Sequence, residues 1–116
     1  MKDSKTELLC DLCARLPYHV IVNYRGSKVD LTEYARSVKL ECCKPYLRPM
    51  SSMTREEKFQ YSFYLTRIEN AYDASLLIDW LNAHYFDYRN LIEKGLAIEA
   101  PEGMYNIKLK YDKNKI

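Results

Sequence analysis

Four cysteines are the residues of this chain whose type and spacing come nearest to a metal site. Cys10 and Cys13 are separated by two residues, and Cys43 directly follows Cys42. Two pairs of thiolates are a common ligand set for Zn²⁺. The first pair, however, lies in a pattern of helical period, and adjacent residues of a strand point to opposite faces of a sheet. We therefore expect reduced, buried structural cysteines with no metal and no cofactor, and keep zinc binding and a redox role as alternatives.

The two histidines, His19 and His84, show no catalytic or metal-binding spacing. Asp79 precedes His84 by five residues, which places it on a different helix face. The neighbouring carboxylates Glu56 and Glu57 are more typical of a helix start than of an acid/base pair. No nucleophile elbow, phosphate-binding loop or dinucleotide fingerprint occurs, and 3 Gly offer little material for one. We predict structural histidines, no catalytic residue and no enzymatic activity.

Tyrosine dominates the aromatic residues, with 11 Tyr beside 3 Phe and 1 Trp. Its large apolar area, few rotatable bonds and single hydroxyl make it frequent at contact surfaces. The candidate partner-binding residues are Tyr46, Tyr85, Phe86, Tyr88 and Arg89. We predict a protein-interaction or regulatory domain that binds a protein partner or self-associates. The alternative, that most tyrosines are core residues, stays open at this point.

A second hypothesis is nucleic-acid binding by a winged-helix-like arrangement, since a short helix followed by a hairpin is predicted near the end of the chain. In that case the base-reading and phosphate-binding residues are Tyr88, Arg89, Asn90, Lys94, Lys108 and Lys110. Acidic residues interrupt this set, because Asp87, Glu93, Glu99 and Glu102 lie among them and repel phosphate. The net charge of +2 is also far from the strongly basic balance of many nucleic-acid binders.

The first half of the chain predicts one helix and two or three strands. Leu9, Leu12, Cys13 and Leu16 form one apolar face of a helix over about residues 5–16, which Pro17 ends. Residues 18–24 are typical of a strand, residues 25–28 of a tight type II′ turn with Gly26 at a central position, and Val29 and Leu31 of a return strand. The course of residues 29–38 stays open. Apolar and polar residues alternate as in a strand from residue 38 onward. Residues 44–49 predict an extended or single-turn connector.

The second half predicts three helices and a hairpin. Thr54 and Glu57 form a capping box for a helix to about residue 69, with Tyr61, Leu65, Ile68 and Tyr64 facing inward. Asp73 or Ser75 caps the next helix, whose apolar residues Ala74, Leu76, Leu77, Ile78, Trp80, Leu81 and Tyr85 predict burial on most sides. Asp87 caps a short helix over residues 88–94, which ends at Gly95. Alternating residues in 96–100 and 105–111 predict the hairpin.

Composition places these elements in one α+β domain spanning residues 1–116, with 113–116 as a frayed tail. The chain has 116 residues, of which 47% are apolar, and 4 Pro. No apolar run approaches the ~18 residues of a membrane span, and the first residues are too polar for a signal peptide. We therefore expect a soluble cytoplasmic domain that does not bind membranes.

Four long strings of the chain resemble a family of small uncharacterised proteins from gut Bacteroides and their phages or mobile elements. They are residues 11–18, 44–54, 79–89 and 91–105, which begin with Asp-Leu-Cys-Ala, Lys-Pro-Tyr-Leu, Asp-Trp-Leu-Asn and Leu-Ile-Glu-Lys. The region from Arg25 to Val38 is shorter than in that family. The resemblance implies a bacterial or phage origin and a cytosolic setting, and it implies no particular activity.

Overall fold

Three α-helices and a four-stranded sheet make up the protein, in a computed structural model that describes residues 4–105. The elements are α1 (Ser4–Arg15), β1 (Ile21–Tyr24), β2 (Ser27–Asp30), β3 (Cys43–Leu47), α2 (Arg55–Leu65), α3 (Ala71–Ala83) and β4 (Ile98–Glu99), with 3₁₀ turns at Leu16–Tyr18, Leu40–Cys42 and Met50–Ser52. The predicted α+β class is confirmed. No helix within residues 4–105 is long and apolar enough to cross a membrane.

The sheet has the strand order β2-β1-β3-β4. β1 pairs antiparallel with β2 and β3, whereas β4 pairs parallel with β3. The predicted hairpin is confirmed, with Tyr24 opposite Ser27. Its turn differs from the prediction, because Arg25 and Gly26 both have positive φ, 53° and 91°. Positive φ at both central residues is typical of a type I′ turn rather than a type II′ turn.

Most of residues 44–49 are extended as predicted, but they form a strand rather than a connector, because β3 occupies Cys43–Leu47 in the interior of the sheet. Pro45 made this segment resemble a loop, since proline has no N–H to give to a ladder. Among the described residues, β4 pairs with Tyr46 and Leu47 of β3 and does not reach Pro45. The missing N–H of Pro45 therefore leaves no hydrogen bond to β4 unmade. The alternation expected from residue 38 is also wrong, because a 3₁₀ turn covers Leu40–Cys42.

The N-terminal helix is confirmed, but a different face is buried. Leu8, Asp11, Leu12 and Arg15 are buried, whereas Cys13 and Leu16 are exposed. These buried positions follow the helical spacing i, i+3, i+4 and i+7. Two of the four buried residues, Asp11 and Arg15, are charged. A pattern of apolar residues alone therefore predicts burial of the neighbouring helix face.

The capping box at the start of α2 is confirmed in both directions. Thr54 Oγ1 accepts from the Glu57 amide at 3.1 Å, and Glu57 Oε1 accepts from the Thr54 amide at 2.9 Å. The helix ends at Leu65 instead of residue 69. Tyr61 and Tyr64 are partly buried as predicted, whereas Leu65 and Ile68 are exposed.

α3 begins at a different cap and is buried on fewer sides than predicted. The Asn70 side chain accepts from the Asp73 amide at 2.9 Å, so the capping residue is neither Asp73 nor Ser75. The helix buries Leu77, Trp80, Leu81 and Asn82. Leu76 and Ile78 are exposed, so the prediction of burial on most sides is wrong for α3.

Hydrogen-bonded turns replace the short helix predicted over residues 88–94. The Asp87 carboxylate accepts from the amides of Leu91 and Ile92 at 2.8 and 3.0 Å, four and five residues on, whereas a helix cap accepts from the second or third amide after it. Asn90 has a φ of 62°, which is incompatible with a continuous α-helix. β4 then covers Ile98–Glu99, and the second strand of the predicted hairpin lies outside the described residues from residue 106 onward.

Candidate protein-interaction cleft

Three of the five predicted partner-binding residues are core residues. Tyr46 and Tyr85 are buried, and Phe86 is fully buried with its ring stacked 5.7 Å from that of Trp80. The Tyr85 hydroxyl donates to the Tyr18 carbonyl. The structure thus differs from the expected contact surface at these positions, because their apolar area is already covered within the chain.

Tyr88 and Arg89 are partly buried and make internal contacts. The Tyr88 hydroxyl donates to Asn82 Oδ1 at 3.0 Å, and Arg89 Nη1 donates to Asp11 Oδ1 at 2.8 Å. The Arg89 guanidinium also lies 4.9 Å from the Tyr88 ring centroid. The five residues therefore do not form one exposed surface.

Three residues of the nucleic-acid hypothesis, Arg89, Asn90 and Lys94, face carboxylates, whereas the Tyr88 hydroxyl donates to the Asn82 side chain. Lys94 Nζ lies 2.8 Å from Glu7 Oε2, and Asn90 Nδ2 donates to Glu93 Oε1. Lys108 and Lys110 lie outside the described residues. The recognition helix of that hypothesis has no counterpart within residues 4–105, because residues 88–94 form turns.

The cysteines do not come together as a ligand set among the described residues. Cys10 and Cys13 are exposed, so the prediction of burial is wrong for this pair, whereas Cys43 is buried and burial raises the pKa of its thiol. The group of potential ligands that the fold of residues 4–105 does assemble is His19, Asp30 and Glu33, within 4.8 Å of one another. His19 Nδ1 already lies 2.9 Å from Asp30 Oδ2, and this contact explains the arrangement without an ion.

A cleft of about 1160 Å³ lies between α2 and the segment that follows β4. One wall carries Phe59 and Phe63, one helical turn apart, which are 73% and 45% exposed. Tyr64 and Trp80 extend the aromatic wall inward, with ring centroids 6.2 Å apart. Sequence reasoning missed Phe59 and Phe63, although their i, i+4 spacing on the side away from Tyr61 was the available signal.

A bidentate ion pair lies at the inner end of the cleft. Arg48 Nη2 and Nη1 donate to Glu57 Oε1 and Oε2 at 2.7 and 2.9 Å, and Nη1 also lies 3.3 Å from the His84 carbonyl. Burial alone raises the pKa of Glu57, but the hydrogen bonds from Arg48 and from the Thr54 amide outweigh burial and lower it. The two charges therefore cancel each other inside the protein.

His84 adds no charge to the cleft at neutral pH. Its ring lies 4.4 Å from that of Trp80, and Nδ1 lies 2.9 Å from the Trp80 carbonyl. Because a carbonyl only accepts, Nδ1 carries the proton of the neutral ring. Burial lowers the pKa of His84, and the Trp80 hydrogen bond and the nearby Glu57 charge offset this only in part.

The serine and threonine hydroxyl groups of the cleft are engaged in structural hydrogen bonds. Ser52 Oγ donates to the Pro49 carbonyl at 2.6 Å, and Thr54 Oγ1 accepts from the Glu57 amide. Neither hydroxyl is hydrogen-bonded to His84, so the cleft lacks the nucleophile–base pair that acyl transfer requires.

Three glutamates give the cleft a negative character although the whole chain has a net charge of +2. Glu56 lies at the start of α2, and Glu99 and Glu102 lie on the opposite wall. Within residues 4–105, none of these carboxylates has a cationic partner, in contrast to Glu57.

No protein-family model, curated protein or solved structure matches this chain.

Proposed function

We propose that this chain is a non-enzymatic protein-interaction domain of bacterial or phage origin that acts in the cytoplasm. We further propose that its contact surface is the outer face of α2 together with the cleft. One observation carries the proposal: none of the 11 residues of α2 is buried, although the helix contains Phe59 and Phe63. Full burial of a phenylalanine side chain is worth about 1.5–3 kcal/mol, so a partner that covers both rings gains substantial free energy.

The neighbouring helix supports the same proposal. α3 exposes Tyr72, Leu76 and Ile78, with Tyr72 69% exposed. Isolated apolar residues on a protein surface are ordinary, but several on two packed helices are typical of an interaction site. The partner is either another protein or a second copy of this chain.

Winged-helix-like nucleic-acid binding stays a prediction with less support. Arg89 and Lys94 are paired with Asp11 and Glu7, so phosphate would have to compete with carboxylates already in place. The glutamates of the cleft repel phosphate as well.

The proposal is tested with the double variant Phe59→Ser/Phe63→Ser and the matched control Tyr34→Ser. Tyr34 is an aromatic residue of similar exposure, located in the turn after β2, outside the cleft. Light scattering measures self-association, and affinity purification from the native host followed by mass spectrometry identifies other partners. We expect wild type and Tyr34→Ser to form the same dimer or retain the same protein, and the double variant to lose it.

Two results would contradict the proposal. One is a wild-type monomer that retains no specific protein from its host. The other is a double variant that matches wild type in both measurements, because the aromatic face of α2 would then contribute nothing to binding.

A further inference from the structure

We infer that the cleft binds a basic segment of the partner protein, with a lysine or arginine side chain lying along the aromatic wall and its charge balanced by Glu99 and Glu102. This inference rests on the proposed function and specifies the chemistry of the partner. It follows from three properties of the cleft: its unbalanced charge, its exposed rings and its size.

Charge selects a cationic ligand. The Arg48–Glu57 pair is internally neutral, since both guanidinium nitrogens are used by one carboxylate. Glu56, Glu99 and Glu102 remain without a cationic partner among residues 4–105. A cation that enters the cleft therefore meets three carboxylates and no free positive charge from Arg48.

The aromatic wall favours a cation at the end of an apolar stem. Lysine and arginine bury their methylene groups on apolar surfaces and gain a further attraction from ring faces. The protein already shows this geometry beside the cleft, because the Arg67 guanidinium carbon lies 3.9 Å from the Phe63 ring centroid. A partner arginine can make the same kind of contact with Phe59, which is more exposed.

Size favours a peptide segment over a small molecule. Pockets for drug-sized ligands have volumes of about 300–1000 Å³, and this cleft reaches about 1160 Å³ with one side formed by an exposed helix. Several residues of an incoming chain can therefore occupy it together. The acidic rim argues against a nucleic acid as the occupant.

The test measures binding of a hexalysine peptide to the full chain by isothermal titration calorimetry at low and moderate salt. The variant is Glu99→Gln/Glu102→Gln, and Glu33→Gln/Glu69→Gln is the control with the same change of charge outside the cleft. We expect saturable binding that weakens with salt, a loss of about tenfold in affinity for the cleft variant, and wild-type affinity for the control. Hexaarginine should bind more tightly than hexalysine, and hexaglutamate should not bind.

Absence of hexalysine binding would overturn the inference, as would equal affinities for the two glutamine variants. Either result leaves the proposed function intact if Phe59→Ser/Phe63→Ser still loses its protein partner, because that partner would then use the aromatic face without a basic segment. The opposite combination is that hexalysine binds while Phe59→Ser/Phe63→Ser retains the same partner as wild type. That result contradicts the proposed contact surface instead.

A peptide copy of residues 106–116, which contain Lys108, Lys110, Lys113 and Lys115, tests whether the basic segment comes from another copy of this chain.

Discussion

Asp11 and Arg89 are 78 residues apart in the chain, and their side chains meet at 2.8 Å. The same carboxylate accepts from Nε and Nη2 of Arg15 at 2.9 and 3.0 Å. Asp11 and Arg15 are both fully buried, and Arg15 Nη2 also donates to the Phe86 carbonyl at 2.7 Å. One carboxylate on α1 thus links this helix to the polar turns that follow α3.

Replacing Asp11 with asparagine should destabilise the protein by about 3–5 kcal/mol, because it leaves the buried Arg15 guanidinium without a counter-charge. Arg15 Nη1 has no hydrogen-bond partner within residues 4–105, and Asp11 is the carboxylate that pairs with Arg15 among these residues. Urea unfolding followed by circular dichroism measures the loss. The control is Glu7→Gln, which breaks the more exposed pair with Lys94 and should cost less than about 1 kcal/mol. Equal losses in the two variants would contradict this account.

The buried His84 predicts a loss of stability on acidification. Burial lowers the pKa of His84 in the folded protein below that of the unfolded chain, so the unfolded state binds the proton more readily. The contribution of neutral His84 to the free energy of unfolding is fully present above the pKa of about 6.5 that histidine has in the unfolded chain. It is lost as the pH falls towards the lower pKa of the folded protein. The free energy of unfolding then changes by at most about 1.4 kcal/mol per pH unit. Glu57, whose pKa is also lowered, acts in the same direction at more acidic pH.

The free energy of unfolding of wild type should therefore fall between about pH 7 and pH 5.5. His84→Gln removes the titrating group and should flatten this interval. Urea titrations at several pH values measure the free energy of unfolding of each protein. A slope that persists unchanged in His84→Gln would show that another group is responsible.

Tyr105 connects two strands through one hydroxyl. It accepts from the Ile21 amide at 2.8 Å and donates to the Tyr46 carbonyl at 2.9 Å, and its ring is stacked 3.7 Å from that of Tyr85. Burial raises the pKa of Tyr105, so the hydroxyl stays protonated and can donate. Tyr105→Phe should destabilise the protein by about 1–3 kcal/mol, since it leaves the partly buried Ile21 amide unpaired.

Chemical denaturation compares this variant with Tyr34→Phe, whose hydroxyl is in an exposed turn and whose loss should have little effect. A Tyr105→Phe protein as stable as wild type would mean that water replaces the lost oxygen at the ends of the two strands.

Local patterns predicted those elements whose signals lie within a few residues of one another. The capping box of Thr54 and Glu57, the hairpin at Gly26 and the extent of α1 are of this kind, because hydrogen bonds and backbone preferences over three or four residues determine them. The strand containing Pro45 was missed, since its place inside the sheet depends on β1 and β4, which are distant in sequence.

The sequence by itself determined an α+β chain with a tyrosine excess, a near-neutral charge and a capping box at the start of α2. Only the tertiary structure decided which aromatic rings are covered. Tyr85 and Phe86 are buried by the sheet and by Trp80, whereas Phe59 and Phe63 remain at the surface. Residue type cannot separate these two pairs, because burial depends on which elements pack together, and that packing joins residues more than 70 positions apart, such as Arg15 and Phe86.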